Sequence, residues 1–454
     1  MNKNSFRLFI TIVLLVFTFL SIQAQDTNAK FDEYLSAITK QDRFSGSVLV
    51  ARDGKVLFSK GYGLANLEWD IPNSPQTKFR LGSITKQFTA ASILLLQERG
   101  KLSIKAPICK YVENCPKAWE PVTIHHLLTH TSGIPSYTEV KSPDEFRLMS
   151  LQRVTPAGFV DSFKSKPLEF AVGEKMKYNN SGYFILGHII EKISGQSYEA
   201  FLQQNIFTPL KLVNTGYDTA TRILKARATG YAERDGKIIN SEQMDMTIPY
   251  AAGSLYSTVE DLFAWNEALF SDKVLTAESR MAMMTVDKNN YAYGLTVNQQ
   301  NNRKVVSHGG GINGFSTFLM RLPEEKVTIV VLRNREYGQP NPGKISQDLA
   351  AILFGEKYEI PQAKIIAQVD PKIYDAYVGD YQLAPNFILT VTREGDRLMT
   401  QATGQGKIEI FPESETRFFP KAMEAHLVFV KDASGKVSHL ILHQNGEHQA
   451  KKIK

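Results

Sequence analysis

Two hairpin signals set far apart in the chain place the tightest limit on its fold. "FSGSVLVARDGKVLFSKGYG" (44–63) alternates about Asp53-Gly54, a dipeptide suited to a two-residue hairpin turn. "FSTFLMRL", "PEEK" and "VTIVVLRN" (315–334) repeat the arrangement far downstream. Between them the periodicity is helical: 83–99 ending at Gly100, 182–194 ending at Gly195, and 257–270. The last opens on Ser257-x-x-Glu260, the spacing of a capping box. Strands at both ends with helices between them predict an α+β layout. One antiparallel sheet forms from the two ends of the segment, and an inserted helical region covers it.

The pattern changes over 356–370, "EKYEIPQAKIIAQVD", which reads as a linker. From 371 to 454 short alternating segments are separated by "EGD" and "ASGK", which predicts a small, barrel-like all-β domain. The expected organisation is therefore a first domain over 25–355, the linker, and the C-terminal β domain. Residues 1–24 differ from both. Lys3 and Arg7 precede the apolar "LFITIVLLVFTFL" (8–20), and small Ala24 precedes Gln25. That pattern reads as a secretory signal peptide cleaved near Ala24. A membrane span needs about 20 apolar residues, so no stable span is expected after cleavage. The protein is expected to be periplasmic or secreted.

With 43% hydrophobic and 22% charged residues, the chain of 454 has the profile of a folded protein. The net charge of +7 comes from scattered Lys and Arg, which reads as a solvated surface and not a nucleic-acid face. Cys109 and Cys115 are the only cysteines, and in an exported protein they read as a local disulfide. Oligomeric state has no signature in the sequence.

Chemistry concentrates in three stretches. "FRLGSITKQFTAAS" (79–92) holds Ser83 and Lys86, three apart and on one face if a helix begins at Ser83. The amine then reaches the hydroxyl, the helix N-terminus favours developing negative charge, and burial by the following "ILLL" lowers the Lys pKa toward that of a base. The bland alternative is a helix-capping Ser beside a surface Lys. "KYNNSGYFILGHIIEKISG" (177–195) supplies Tyr178 and Asn180 before a helix. "VVSHGGGINGFSTF" (305–318) places His308, Gly309, Gly310 and Gly311 just before the apparent strand at 315. There glycines allow close approach of a substrate backbone, and a backbone N–H can complete an oxyanion hole with that of Ser83.

In this order the three stretches resemble the penicillin-recognising serine hydrolases, in the class C β-lactamase-like branch with its D-Ala-D-Ala carboxypeptidase, D-amino-acid peptidase and esterase relatives. Ser83-Ile-Thr-Lys86, Tyr178-Asn-Asn180 and His308-Gly-Gly310 match its Ser-x-x-Lys, Tyr-x-Asn and Lys/His-x-Gly motifs. "LLTHTSGIPSY" (127–137) and "AAGSLYSTVEDL" (251–262) look like family segments, and the likeness covers roughly 30–355. The tail from 371 resembles the lipocalin-like module of some members. The resemblance implies a β-lactamase/transpeptidase-like fold and an acyl-enzyme on Ser83. Lys86 and Tyr178 share the base and acid work. Asn180 positions the substrate amide, His308 and Gly310 lie at the substrate carboxylate, and the N–H groups of Ser83 and Gly311 form the oxyanion hole.

His308 stands where efficient β-lactamases carry Lys. With an ordinary pKa of about 6.5 it would be mostly neutral at pH 7, so carboxylate recognition is expected to weaken as pH rises. The implied substrates are small D-amino-acid peptides, peptidoglycan-derived peptides or β-lactams. A carboxylesterase on the same serine, or a penicillin-binding sensor that acylates without turnover, are the rivals. No cofactor or metal is expected. His126 and His130 have a zinc-compatible spacing but lack the Glu of the protease motif, and His439 and His443 fall on a strand. No Gly-x-Ser-x-Gly elbow or phosphate-cradling loop occurs.

Overall fold

The computed structural model describes residues 26–234, 237–336, 338–360, 366–420, 423, 425–444 and 446–454. The expected signal peptide lies outside the described residues. The chain divides into two compact units, Met1–Glu336 with Pro342–Glu359, and Tyr337–Asn341 with Ile360–Lys454.

The first unit opens with helix α1 (residues 26–40) and the hairpin of β1 (Gly46–Arg52) and β2 (Lys55–Tyr62). Asp53 and Gly54 have φ of 51° and 72°, the left-handed turn that their sequence predicts. Helix α2 (Thr85–Glu98) follows a single 3-10 turn over Gly82–Ile84, so Ser83 sits in that turn rather than at the first α-helical position. Helix α3 (Asn180–Ser194) starts at the Asn179 cap, whose Oδ1 accepts the Gly182 N–H at 2.7 Å, and ends on left-handed Gly195. The short α4 (Tyr250–Gly253) and α5 (Val259–Leu269) come next. Thr258, not Ser257, caps α5 and accepts the Asp261 N–H. The Ser257 hydroxyl is instead 2.7 Å from that of Thr215.

Four strands then complete the sheet: β3 (Thr296–Gln300), β4 (Arg303–Ile312), β5 (Phe315–Leu322) and β6 (Val327–Arg333). The order is β3-β4-β5-β6-β1-β2, antiparallel throughout, so the two ends of the unit meet where β6 pairs with β1. His308 to Gly311 were expected in a loop before the strand. They lie within β4, paired with β5 from His308↔Leu319 to Gly311↔Ser316. Helices α5 and α6 (Pro342–Phe354) pack on the sheet. Every α2 residue from Thr85 to Leu96 is buried, with Phe88 stacked on Trp265 at 4.1 Å. The sulfurs of Cys109 and Cys115 form a disulfide.

In the second unit eight antiparallel strands, from Gly379–Ala384 to Glu447–Lys452, close into a barrel in sequential order. Its core is aromatic and aliphatic, with Tyr377, Phe418 and Phe429 near the centre. Closure leaves the barrel without an edge strand. No helix among the described residues is long and apolar enough to cross a membrane.

Candidate active site

Backbone packing, more than side chains, fixes the nucleophile's position. Leu81 N–H donates to Leu255 O, and Leu81 O accepts the Thr317 hydroxyl at 2.8 Å. This ties the segment before Ser83 to β5. A Cβ at Gly310 would stand 1.9 Å from Leu81 O, and one at Gly82 (φ 54°) would stand 2.9 Å from Gly311 N. Glycine at 310 is therefore required by the approach of the chain at Leu81. Gly311 differs, because a Cβ there would meet nothing within 4 Å. The Gly82-Ser83 backbone thus lies against β4 at Gly311, beside open space.

Lys86 is completely buried, and its Nζ lies 3.0 Å from Ser83 Oγ, 2.8 Å from Asn180 Oδ1 and 2.9 Å from Ala252 O. All three partners are neutral oxygens. Desolvation holds its pKa well below 10.5, with no carboxylate to oppose the shift. A neutral amine in this place donates to Asn180 and Ala252 and offers its lone pair to the Ser83 hydroxyl. The amide of Asn180 is doubly engaged, since its Nδ2 also donates to Thr138 Oγ1 at 3.2 Å. Sequence reasoning gave Asn180 to the substrate. In the structure its oxygen holds the lysine.

Tyr178 packs its ring over Lys86 Nζ at 4.9 Å and against His130 at 4.4 Å, while 38% of the residue stays exposed. Enclosure of the hydroxyl end raises its pKa, and hydrogen bonding to Ser83 opposes this in part, so the phenol is protonated at neutral pH.

His308 is buried at 5% exposure. Its Nδ1 lies 2.6 Å from Gly309 O and its Nε2 lies 3.0 Å from Tyr291 Oη. Nδ1–H thus donates to the carbonyl and Nε2 accepts from the phenol. Burial, then the nearby Lys86, lower its pKa to about 4. The expected loss of charge near pH 6.5 is corrected by this burial: His308 is already neutral well below pH 6, so its charge is no handle for a carboxylate at working pH.

Four participants escaped the sequence reading: Tyr291, His130, Thr138 and the Ala252 carbonyl. Tyr291 lies in "NNYAYGL", a segment without an obvious motif. His130 has φ of 60°, accepts the Asn179 N–H on Nδ1 at 3.1 Å, and is ringed by Tyr178, Tyr183 and Tyr291. His126 points elsewhere, with Nδ1 3.1 Å from the Thr123 hydroxyl, so the pair shares no common partner. His439 has its Nδ1 2.9 Å from the Ser438 hydroxyl.

Comparison with known proteins agrees with this geometry. A family model described as Beta-lactamase matches residues 28–352, and one described as a domain of unknown function matches 363–454. Penicillin-binding protein 4* of Bacillus subtilis (strain 168) is 30% identical over 95% of this chain and all of its own length. The octameric penicillin-binding protein homologue from Pyrococcus abyssi superposes with a TM-score of 0.65 at 27% identity, covering 93% of this chain and 99% of its own. A D-amino acid amidase from Ochrobactrum anthropi SV3 has a TM-score of 0.63 at 22% identity, over 73% of this chain and 99% of its own, and shares the fold. With its helix-covered antiparallel sheet and the family match spanning that whole unit, the chain belongs to the β-lactamase family of serine hydrolases.

Proposed function

We propose that this protein is an exported hydrolase that forms an acyl-enzyme on Ser83 and cleaves amide bonds of D-amino-acid-containing peptides or β-lactams. The observation that carries the reading is Lys86: buried, held neutral by desolvation, and 3.0 Å from Ser83 Oγ. As Ser83 Oγ attacks the carbonyl carbon, Lys86 Nζ takes its proton. The carbonyl oxygen gains negative charge, which the N–H groups of Ser83 and Gly311 receive. Tyr178, protonated, supplies the proton to the departing nitrogen, and Lys86 restores it. Asn180 and Ala252 hold the amine in line throughout. Water then attacks the ester carbonyl and the same groups run in reverse.

The names of the relatives support the amide reading: penicillin-binding proteins and a D-amino acid amidase. A second reading, a carboxylesterase on the same serine, is favoured by neutral His308, which gives the site no fixed cation for a substrate carboxylate. The test is intact-mass analysis of wild type and Ser83→Ala after incubation with a fluorescent penicillin, with D-amino-acid amides and short-chain esters assayed in parallel. A Ser83-dependent adduct, or amide turnover lost in Ser83→Ala, is expected. Ester turnover without either selects the esterase. Activity that survives Ser83→Ala overturns both.

A further inference from the structure

A second cavity, of about 180 Å³, lies in the same unit and is lined by none of Ser83, Lys86, Tyr178, Asn180, His308 or Gly311. Engineered cavities of about 150 Å³ take a benzene ring, so this one has room for a small organic molecule. Three of its walls are the rings of Tyr198, Tyr217 and Tyr250, with centroids 5.2, 6.3 and 6.4 Å apart pairwise. Ring faces grouped in this way attract a cation brought within about 6 Å.

Two carboxylates, Glu191 and Glu199, complete the lining. Glu199 is paired with Arg222 at 2.5 Å. Glu191 accepts the Tyr198 backbone N–H at 2.8 Å and makes no ion pair among the described residues. One negative charge is therefore left uncompensated at a cage of aromatic faces. The Tyr250 hydroxyl also lines the cavity. It has no hydrogen-bond partner, although the residue is only 5% exposed. An orphaned buried hydroxyl costs about 1–3 kcal/mol, a cost that an N–H donor in the cavity would remove. Anions are opposed by the carboxylates, and a neutral apolar guest would leave both Glu191 and Tyr250 unanswered.

The cage also touches the groups that hold Lys86. Tyr250 opens α4, whose next two carbonyls accept from Thr89 Oγ1 at 2.7 Å and from Lys86 Nζ at 2.9 Å. The Tyr198 hydroxyl is 2.7 Å from the same Thr89 Oγ1. Any movement of either ring is thus one residue, or one hydrogen bond, from the support of the amine.

We propose that this cavity binds a small organic ammonium, its charge among the three rings and against Glu191, with an N–H on Tyr250 Oη, and that occupancy is relayed through α4 to Lys86. The relay rests on Lys86 being the base of the reaction. The site does not.

The two parts are tested separately. Calorimetric titration of Ser83→Ala protein with benzylammonium chloride and with benzyl alcohol measures the site without turnover. Saturation at one benzylammonium per chain, at least tenfold tighter than the alcohol, is expected. Glu191→Gln should erase most of that preference. Tyr250→Phe should weaken benzylammonium and leave tetramethylammonium, which has no N–H, unchanged. Equal affinity for ammonium and alcohol, or no saturable binding, overturns the site. For the relay, the acylation rate of wild type by a fluorescent penicillin should shift at least twofold when benzylammonium saturates. An unchanged rate overturns it. If no acylation occurs even without the ammonium, the amide-hydrolase reading fails and takes the relay with it, while the binding result stands.

Discussion

The unit that carries Ser83 and the C-terminal barrel treat buried polar groups in opposite ways. The first hides Lys86, His130, His308, Asp218 and Arg333, each at 5% exposure or less. The barrel core is built from Tyr374, Tyr377, Tyr381, Phe418, Phe429 and Leu440, and Thr400 is its only buried polar residue among those described. Within the first unit the buried charges divide again. Asp218 is answered by Arg80 at 2.7 Å and Arg227 at 2.9 Å, a structural pairing that offsets desolvation. Lys86 has only neutral oxygens around it. An amine serving structure gains from a carboxylate; one serving as a base is spoiled by it, because the carboxylate would hold the proton. The absence of an anion at Lys86 is therefore what separates a site from a scaffold.

The sharpest way to break this contrast is Lys86→Met. Positioned proton transfer contributes about 10²–10⁴-fold, so acylation of Ser83 should fall about 10³-fold, equivalent to about 4 kcal/mol. Stability should move far less, because relief of the buried amine offsets the orphaning of Asn180 Oδ1 and Ala252 O. Stopped-flow acylation alongside thermal unfolding checks both halves, and a collapse of stability would make Lys86 a structural residue. Phe429→Ala is the counterpart in the barrel. Its ring stacks on Tyr377 at 4.4 Å and meets Phe418 at 5.5 Å. Its loss should cost at least about 3 kcal/mol, read as faster hydrogen exchange across the barrel strands, with Ser83 acylation per folded molecule unchanged.

How far the sequence foretold this division depends on the range of each signal. The turn at Asp53-Gly54, the stop at Gly195 and the Ser83–Lys86 pair are legible because their physics is confined to a few neighbouring residues. The cap of α5 slips by one, since Ser257 and Thr258 are both capping residues and only the Thr215 contact decides between them. Gly310 reads as a place for substrate, while its cause is Leu81, more than two hundred residues away. Nothing local marks Ala252 either, because a backbone carbonyl has no residue signature, and its bond to Lys86 spans 166 positions. The Tyr291–His308 bond is equally invisible, and with it the burial that neutralises the histidine.

That burial gives the next prediction. His308 titrates near 4 when folded and near 6.5 when unfolded, so between these values the unfolded chain binds more protons. Stability therefore rises with pH through this window and is lost as pH falls toward 4, by about 3 kcal/mol in all at about 1.36 kcal/mol per unit. Glutamine can accept from Tyr291 and donate to Gly309 O without titrating, so His308→Gln should flatten the slope of urea-unfolding free energy between pH 4 and 6.5. An unaltered slope would mean that His308 is not buried neutral. Above pH 6.5 the two proteins should run parallel.

The smallest effect asks whether the barrel has any use for its one buried polar group. Thr400 faces Val391 and Ile408 across its two ladders, is 5% exposed, and leaves its hydroxyl without a partner. Valine has the same shape without the desolvated hydroxyl, so Thr400→Val should stabilise the barrel by about 1 kcal/mol. Slower amide exchange in Arg397–Ala402 and its neighbouring strands measures it. A gain there, beside a Lys86→Met that trades about 10³-fold in rate for little stability, would confirm that polar burial is a flaw of packing in one unit and an instrument of chemistry in the other. If Thr400→Val instead destabilises the strands, its hydroxyl has an internal partner such as buried water, and the barrel too holds a polar group in use.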